Sequence, residues 1–191
     1  MLAKLIILID KLIEQLIIFG PIAGFFLIIL ESIFPILPLG VFIAFNVEAF
    51  GLLQGFLLSY AATSIGCIIS YYLFRNLLSD YYYKKIAKKK KLKKATKTFA
   101  NIKFSNLVLV MALPFTPASL VNVIAGITKV PQIKFILAVV ISKVFIIYFW
   151  GFVGKSLLSS FSDLKTLLIL TIILILAYII SKIVSKKMNL E

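Results

Sequence analysis

Pro35-Ile36-Leu37-Pro38 and Pro114-Phe115-Thr116-Pro117 have the same form, and each lies inside a long apolar segment. Proline lacks a backbone N–H and its ring clashes with the preceding helical turn, so neither stretch continues a helix. In hydrocarbon, a broken helix is tolerated only where the freed backbone groups are buried in protein or line a cavity. The two stretches therefore predict two helical hairpins whose bends are enclosed by the rest of the chain.

The composition is that of an integral membrane protein. Hydrophobic residues make up 62% of the 191 residues, and the mean hydropathy is +1.10. Uncharged runs such as residues 52–74 are long enough to cross a bilayer. Cys67 is the single cysteine and histidine is absent from the sequence, so a disulfide within the chain is excluded and no metal site is expected. We expect one membrane domain, no cofactor and no cleavable signal.

Lysine is concentrated in one segment. Ten of the 21 basic residues lie between Lys84 and Lys103, and the positive-inside rule places such a segment in the cytoplasm. Residues 104–128 are uncharged and long enough to span, but a span would put Lys129 and Lys134 on the side opposite to this segment. A re-entrant hairpin with its bend at the second proline motif keeps all these lysines on one side.

The first half follows the same plan with the opposite orientation. We predict an all-α, polytopic membrane protein with two re-entrant helical hairpins in an inverted repeat plus spanning helices. Its parts are an amphipathic N-terminal helix (1–20), the first hairpin and spanning helix (21–78), a cytoplasmic polybasic loop (79–103), the second hairpin and spanning helix (104–155) and a C-terminal spanning helix (165–184). The polybasic loop and the C-terminus are expected in the cytoplasm. The N-terminal helix is either interfacial or spanning, so the side of the N-terminus stays open.

Small residues form a stripe on the first spanning helix. They recur at spacings of four and three, at Gly55, Ser59, Thr63, Gly66 and Ser70. Small residues on one face let helix backbones approach closely, as membrane packing requires. We assign the stripe to packing against a hairpin rather than to a substrate path.

Spaced motifs extend over both halves of the chain. They are Glu31-Ser-Ile-Phe-Pro35-Ile-Leu-Pro38, Phe50-Gly51, Tyr71 to Arg75, and Pro114-Phe-Thr-Pro117 followed by Leu120-Val-Asn122 and Ala125-Gly126. On these motifs the chain resembles the DedA/VTT superfamily, also called the SNARE-associated Golgi protein family, and most closely its bacterial Tvp-like branch. The resemblance implies movement of polyprenyl phosphates or phospholipids between leaflets of a bacterial plasma membrane.

The chain departs from that family at two places. Many members carry an arginine near the position of Met111, and many have Pro-Gly where this chain has Pro38-Leu39-Gly40. Because the arginine is linked to substrate or proton handling in the family, its absence puts proton coupling of that type in doubt.

Lys143 is the most informative candidate site residue. It lies about 12 residues into its helix, hence about 18 Å from the cytoplasmic end and near the midplane. An ionisable group there costs about 2.5 to 3.5 kcal/mol, so it should face the protein interior and have a partner. Glu31 reaches a similar depth. The two residues either bind a phosphate and exchange a proton, or form a structural ion pair.

The second proline motif offers a helix start. Thr116 is a typical N-cap and Pro117 suits the first helical position, so this helix directs free N–H groups toward the protein centre, where an anionic head group binds. The alternative is a capped bend that only closes the hairpin. The predicted substrate-binding residues are Glu31, Pro35, Pro38, Asn46, Pro114, Thr116, Pro117, Ser119, Asn122 and Lys143.

Two cations end the spanning helices, Arg75 and Lys155. Both are expected to be interface anchors whose side chains extend to lipid head groups, with a substrate gate as the alternative. No catalytic or metal-binding residue is predicted.

Three classes of function fit the sequence. The first is a lipid transporter or scramblase for an anionic lipid, with undecaprenyl phosphate as the leading substrate. The others are an assembly or envelope-homeostasis factor and a lipid-modifying enzyme, although enzymes of that kind need clustered carboxylates or a nucleophile with its base. We expect no enzymatic activity, membrane lipids as partners and no nucleic acid, because anionic lipid accounts for the polybasic loop. The sequence is compatible with a monomer and with a homo-oligomer.

Overall fold

The computed structural model describes residues 20–33, 39–79, 99–116, 118–159 and 164–187, and helices are their only regular secondary structure. The helices are α1 (Gly20–Ile33), α2 (Leu39–Phe50), α3 (Leu52–Leu73), α4 (Phe104–Ala112), α5 (Ala118–Ile127), α6 (Gln132–Ser159) and α7 (Leu164–Lys187). The all-α prediction is confirmed for these residues. The predicted N-terminal helix, up to residue 19, and most of the polybasic loop lie outside them.

Two helical stretches are long and apolar enough to cross a membrane. They are Leu52–Leu78, in which α3 continues through a π-helical turn (Phe74–Leu78), and Gln132–Gly154 of α6. At 1.5 Å per residue, both exceed the hydrocarbon thickness of about 30 Å. The apolar part of α7, Leu168–Val184, is shorter, and its crossing stays a prediction.

The second proline motif coincides with the end of a helix. α4 ends at Ala112, and Leu113 is extended with ψ 129°, as expected for a residue that precedes proline. α5 starts at Ala118, so the uncharged stretch of residues 104–128 is two short helices and not one span. The structure describes α1 as far as Ile33 and α2 from Leu39, and the first proline motif, Pro35 to Pro38, lies outside the described residues. We call residues 34–38 the first break and residues 113–117 the second break.

α3 and α6 run antiparallel to each other. The Tyr60 hydroxyl of α3 donates to the Val140 carbonyl of α6 at 3.0 Å. Farther along α3, the Tyr71 ring stacks on Phe135, nearer the start of α6, with 4.2 Å between ring centroids. The end of α3 therefore lies beside the start of α6.

The α4–α5 pair begins and ends at this same end of the molecule. Lys134, at the start of α6, donates from Nζ to the carbonyl of Ile102, which precedes α4. The carbonyl of Val130, which follows α5, accepts hydrogen bonds from Tyr71 Oη at 2.6 Å and Arg75 Nη1 at 3.0 Å. The chain thus enters α4 and leaves α5 at the end where α3 stops.

The α1–α2 pair opens at the opposite end. Gly24, near the start of α1, contacts the Asn46 amide near the end of α2, and Gly55, early in α3, packs against the Asn46 carbonyl. At the other end of α1, Ser32 lies against Gly66, close to the middle of Leu52–Leu78. The described end of α1 therefore lies level with the middle of the long helices. The inverted-repeat relation and a re-entrant course through a bilayer stay predictions.

Each helix that follows a break packs on the long helix of the other half. A Cβ at Gly40 of α2 would come within 2.6 Å of the Trp150 ring of α6, and one at Gly126 of α5 would come within 2.6 Å of the Tyr71 carbonyl of α3. These close approaches require glycine. The small-residue stripe of α3 is also buried, and its contacts with α1 and α2 confirm its assignment to packing.

Candidate functional site

Lys143 lies at the centre of the protein. It is the twelfth residue of α6, a helix of 28 residues, and it is 0% exposed. Its Nζ has no hydrogen-bond partner among the described residues. The prediction that this side chain faces the interior is confirmed, and the buried amine is left without a direct acceptor, which is energetically costly.

Glu31 is close enough to Lys143 for electrostatic attraction. The two side chains do not hydrogen bond, because Lys143 Nζ has no such partner. Glu31 is only partly buried whereas Lys143 is fully buried, and the two side chains attract each other without a hydrogen bond. Of the two interpretations, the structural ion pair is not formed in this structure, and phosphate binding with proton exchange stays a prediction.

Asn122 joins α5, the helix after the second break, to α1. It is fully buried, and its Nδ2 donates to the carbonyl of Ser32, the residue after Glu31, at 3.5 Å. Its Oδ1 has no partner among the described residues. The helix that follows the second break is thereby placed against the last turn before the first break, next to one of the predicted charges.

Asn46 holds the open end of the first pair. Its Nδ2 donates to Ser59 Oγ at 3.1 Å, and its Oδ1, which faces Gly24, has no hydrogen-bond partner in the described part of the chain. Gly24 and Ser32 are eight residues apart on α1, hence about 12 Å along the helix. The two asparagines therefore mark the two ends of one buried face of α1.

Thr116 does not act as the predicted N-cap. Its backbone N–H donates to the Leu113 carbonyl at 3.3 Å and closes a turn, while its buried Oγ1 has no hydrogen-bond partner in the described residues. Ser119 is buried and Pro114 is half-buried in this region, and Pro117 lies outside the described residues.

Arg75 is not a free interface anchor. Its Nη1 donates to Tyr71 Oη at 2.6 Å as well as to Val130, and the guanidinium carbon is 5.6 Å from the centre of the Tyr71 ring. Tyr71 stacks on Phe135, which is eight residues and about 12 Å along α6 from Lys143. Arg75 therefore fixes the end of α5 and is not brought together with Lys143. The side chain of Lys155 is not among those that the structure describes.

Trp150 was missed by the sequence analysis. Its ring covers Gly40, just after the first break, and meets Phe115 of the second break edge to face with 5.8 Å between centroids. Phe115 also contacts Tyr178 of α7 at 5.7 Å. Two features of the sequence point to this contact. Trp150 is the only tryptophan in the chain, and Gly40 follows the first proline motif.

Four predicted site residues share one property. Each has a buried polar side-chain atom with no hydrogen-bond partner in the described residues: Asn46 Oδ1, Thr116 Oγ1, Asn122 Oδ1 and Lys143 Nζ. Buried polar atoms of native proteins nearly always have a partner, which is protein, ordered water or ligand. The buried amine of Lys143 and the hydroxyl of Thr116 can donate to an anionic ligand, whereas the two free amide oxygens only accept hydrogen bonds. The described residues contain no cluster of side chains fit for a metal ion.

These features define a helical membrane protein with two interrupted helix pairs and a polar centre. The model of the VTT domain family matches residues 37–156, and the chain belongs to this family, the DedA family of membrane proteins. It is 30% identical over 166 residues to the Bacillus subtilis (strain 168) protein named "Uncharacterized membrane protein YhjE", covering 86% of this chain and 80% of that protein.

A second relative comes from the same organism. The protein named "Uncharacterized protein YqeD" of Bacillus subtilis (strain 168) is 26% identical over 126 residues, which is 66% of this chain and 61% of that protein. No solved structure is significantly similar to the chain.

Proposed function

We propose that the protein moves an anionic lipid between the two leaflets of a bacterial plasma membrane. The observation that carries this proposal is Lys143, a fully buried lysine in the middle of a long apolar helix with no hydrogen-bond partner in the described residues. Ionisable groups inside membranes are rare and mark substrate or ion pathways. A lipid phosphate supplies the negative charge and the acceptor oxygens that this amine lacks.

The arrangement of the helix pairs supports alternating access of such a site. The α1–α2 pair opens at one end of the long helices and the α4–α5 pair at the other, while Asn122 joins their closed ends. In our proposal the pairs are re-entrant hairpins of an inverted repeat, and the polybasic loop and C-terminus are cytoplasmic. Broken helices that meet at the midplane are the usual setting of substrate sites in transporters.

The substrate we favour carries a single phosphate, with undecaprenyl phosphate as the leading candidate and phospholipid as the alternative. One lysine and a few neutral polar groups suit one phosphate. Glu31 is placed to repel a second negative group, or to exchange a proton as the phosphate binds. We further propose that the protein is not an enzyme and does not bind nucleic acid.

Purified protein in phosphatidylcholine vesicles tests this function. Each of three fluorescent lipids is added at low fraction: a polyprenyl phosphate, phosphatidylglycerol and phosphatidylcholine itself. A membrane-impermeant quencher reports the outer-leaflet fraction, and chromatography reports chemical conversion. Accelerated exchange of an anionic probe is expected; conversion would indicate a lipid-modifying enzyme, and no exchange would favour an assembly factor.

A further inference from the structure

A cavity of about 330 Å³ lies between α2, α3 and α6. Its wall is formed by Val47 and Ile147, which are 4% and 0% exposed, and by Gly151. Its opening is formed by side chains that are exposed, including Leu52 at 56% and Phe152 at 48%. We call this cavity the groove. Its lining is mainly apolar, with Tyr148 and Ser156 as its polar members, and it is open at the surface of the two long helices.

The inner end of the groove lies close to the polar centre. Ile147 follows Lys143 by four residues, which is one turn and about 6 Å along the same face of α6. The inner wall of the groove therefore lies about one helical turn from the buried amine of Lys143.

We propose that the groove binds one hydrocarbon chain of the lipid whose phosphate is held at Lys143. The inference rests on the proposed function and adds a second subsite to it. Charge complementarity selects the occupant: a ligand that fills both places carries an anionic group at one end and a flexible apolar chain at the other. The groove volume lies in the range of small-ligand sites, which are mainly apolar with few polar groups.

Gly151 offers a direct way to close the groove. A Cβ at this position would lie 3.3 Å from Val47 Cγ2, so the additional atoms of leucine in Gly151→Leu extend into the space for the ligand. Exclusion of as few as two methylene groups is expected to weaken chain binding about tenfold. Val144→Leu is the matched control, because Val144 lies on the exposed face of the same helix.

The test is photolabelling of the full chain in phosphatidylcholine vesicles. The probe is phosphatidic acid with a diazirine in the middle of one acyl chain, and the control probe is phosphatidylcholine with the same diazirine. Labelled residues are identified by mass spectrometry, with and without excess unlabelled phosphatidic acid. We expect saturable labelling of Phe56 and Ile147 by the anionic probe, about tenfold weaker in Gly151→Leu and unchanged in Val144→Leu.

Competition by unlabelled phosphatidic acid in the wild-type protein tests the proposal even if the Gly151→Leu variant does not fold. Labelling spread over exposed residues of α7 such as Ile172, equal for both probes and insensitive to competitor, would overturn the groove as a subsite. Leaflet exchange without labelling of the groove would refute the groove as a lipid-chain subsite and leave the proposed transport function intact. Saturable labelling of the groove without leaflet exchange would establish the subsite and contradict the proposal that the protein transports the lipid.

Discussion

Asn122 Nδ2 donates to the Ser32 carbonyl oxygen at 3.5 Å, so the helix after the second break contacts the helix before the first. The two residues are 90 positions apart in the chain. Ser32 is held in turn by its own Oγ, which donates to the Ile28 carbonyl at 2.9 Å. This hydrogen bond joins α5 to the described end of α1, in addition to the contacts that Trp150 makes with Gly40 and Phe115.

Asn122→Ala should affect transport more than stability. The lost hydrogen bond is long, so we expect a decrease of about 1 kcal/mol in unfolding free energy. The variant also loses the hydrogen bond that holds α5 against α1 beside Glu31, and exchange should fall about tenfold. Thermal unfolding in detergent and exchange in vesicles are the measurements. Asn106→Ala, at an exposed asparagine of α4, is the control; equal effects of the two variants would contradict this assignment.

Tyr71→Phe should show the reverse pattern. The variant keeps the ring stacked on Phe135 but loses the hydroxyl that donates to Val130 and accepts from Arg75. A hydrogen bond to a charged group contributes about 1.5 to 3 kcal/mol, so the melting temperature should fall clearly. Below that temperature, exchange should stay near the wild-type rate, since Tyr71 is remote from Lys143. Tyr72→Phe is the control, and a Tyr71→Phe protein as stable as wild type would refute the role of this contact.

Single-cysteine labelling tests the proposed topology. The background is Cys67→Ala, because Cys67 is buried in an apolar cluster and serine would bury a hydroxyl there. Lys103→Cys and Gln132→Cys flank the α4–α5 pair at exposed positions, and both should be shielded from an impermeant thiol reagent outside intact cells. Gln54→Cys, exposed at the opposite end of α3, should react. Reaction at position 132 but not 103 would mean that the second pair crosses the membrane.

Glu31 and Lys143 should be only weakly coupled in stability. Their side chains attract each other without a hydrogen bond, so a double-mutant cycle of Glu31→Gln and Lys143→Met should give a coupling of about 1 kcal/mol or less. Thermal unfolding of the four proteins measures it. A coupling of about 3 kcal/mol would indicate a closed ion pair instead.

The sequence predicted the features that local chemistry determines. Prolines at fixed spacing end α4 at Ala112, the small residues of α3 allow close approach, and a lysine inside an apolar run must face inward. It failed where the outcome depends on how helices meet. The separation of Glu31 from Lys143, the hydrogen bonds of Arg75 and the contacts of Trp150 with Gly40 and Phe115 follow from helix rotations that side-chain spacing does not define. Thr116 Oγ1 does not accept the hydrogen bond of an N-cap in the described residues, although its residue type and position suit that role.

Leaflet exchange by Lys143→Met tests the central claim most directly. Methionine has similar length without the charge, so the costly buried ammonium disappears and thermal stability should hold or rise, by up to about 2.5 to 3.5 kcal/mol. Exchange of the anionic lipid should fall at least about tenfold, because the phosphate loses its charged donor. Lys103→Met, at an exposed lysine before α4, should exchange like wild type. A stable Lys143→Met protein that exchanges the anionic lipid at the wild-type rate would contradict the account.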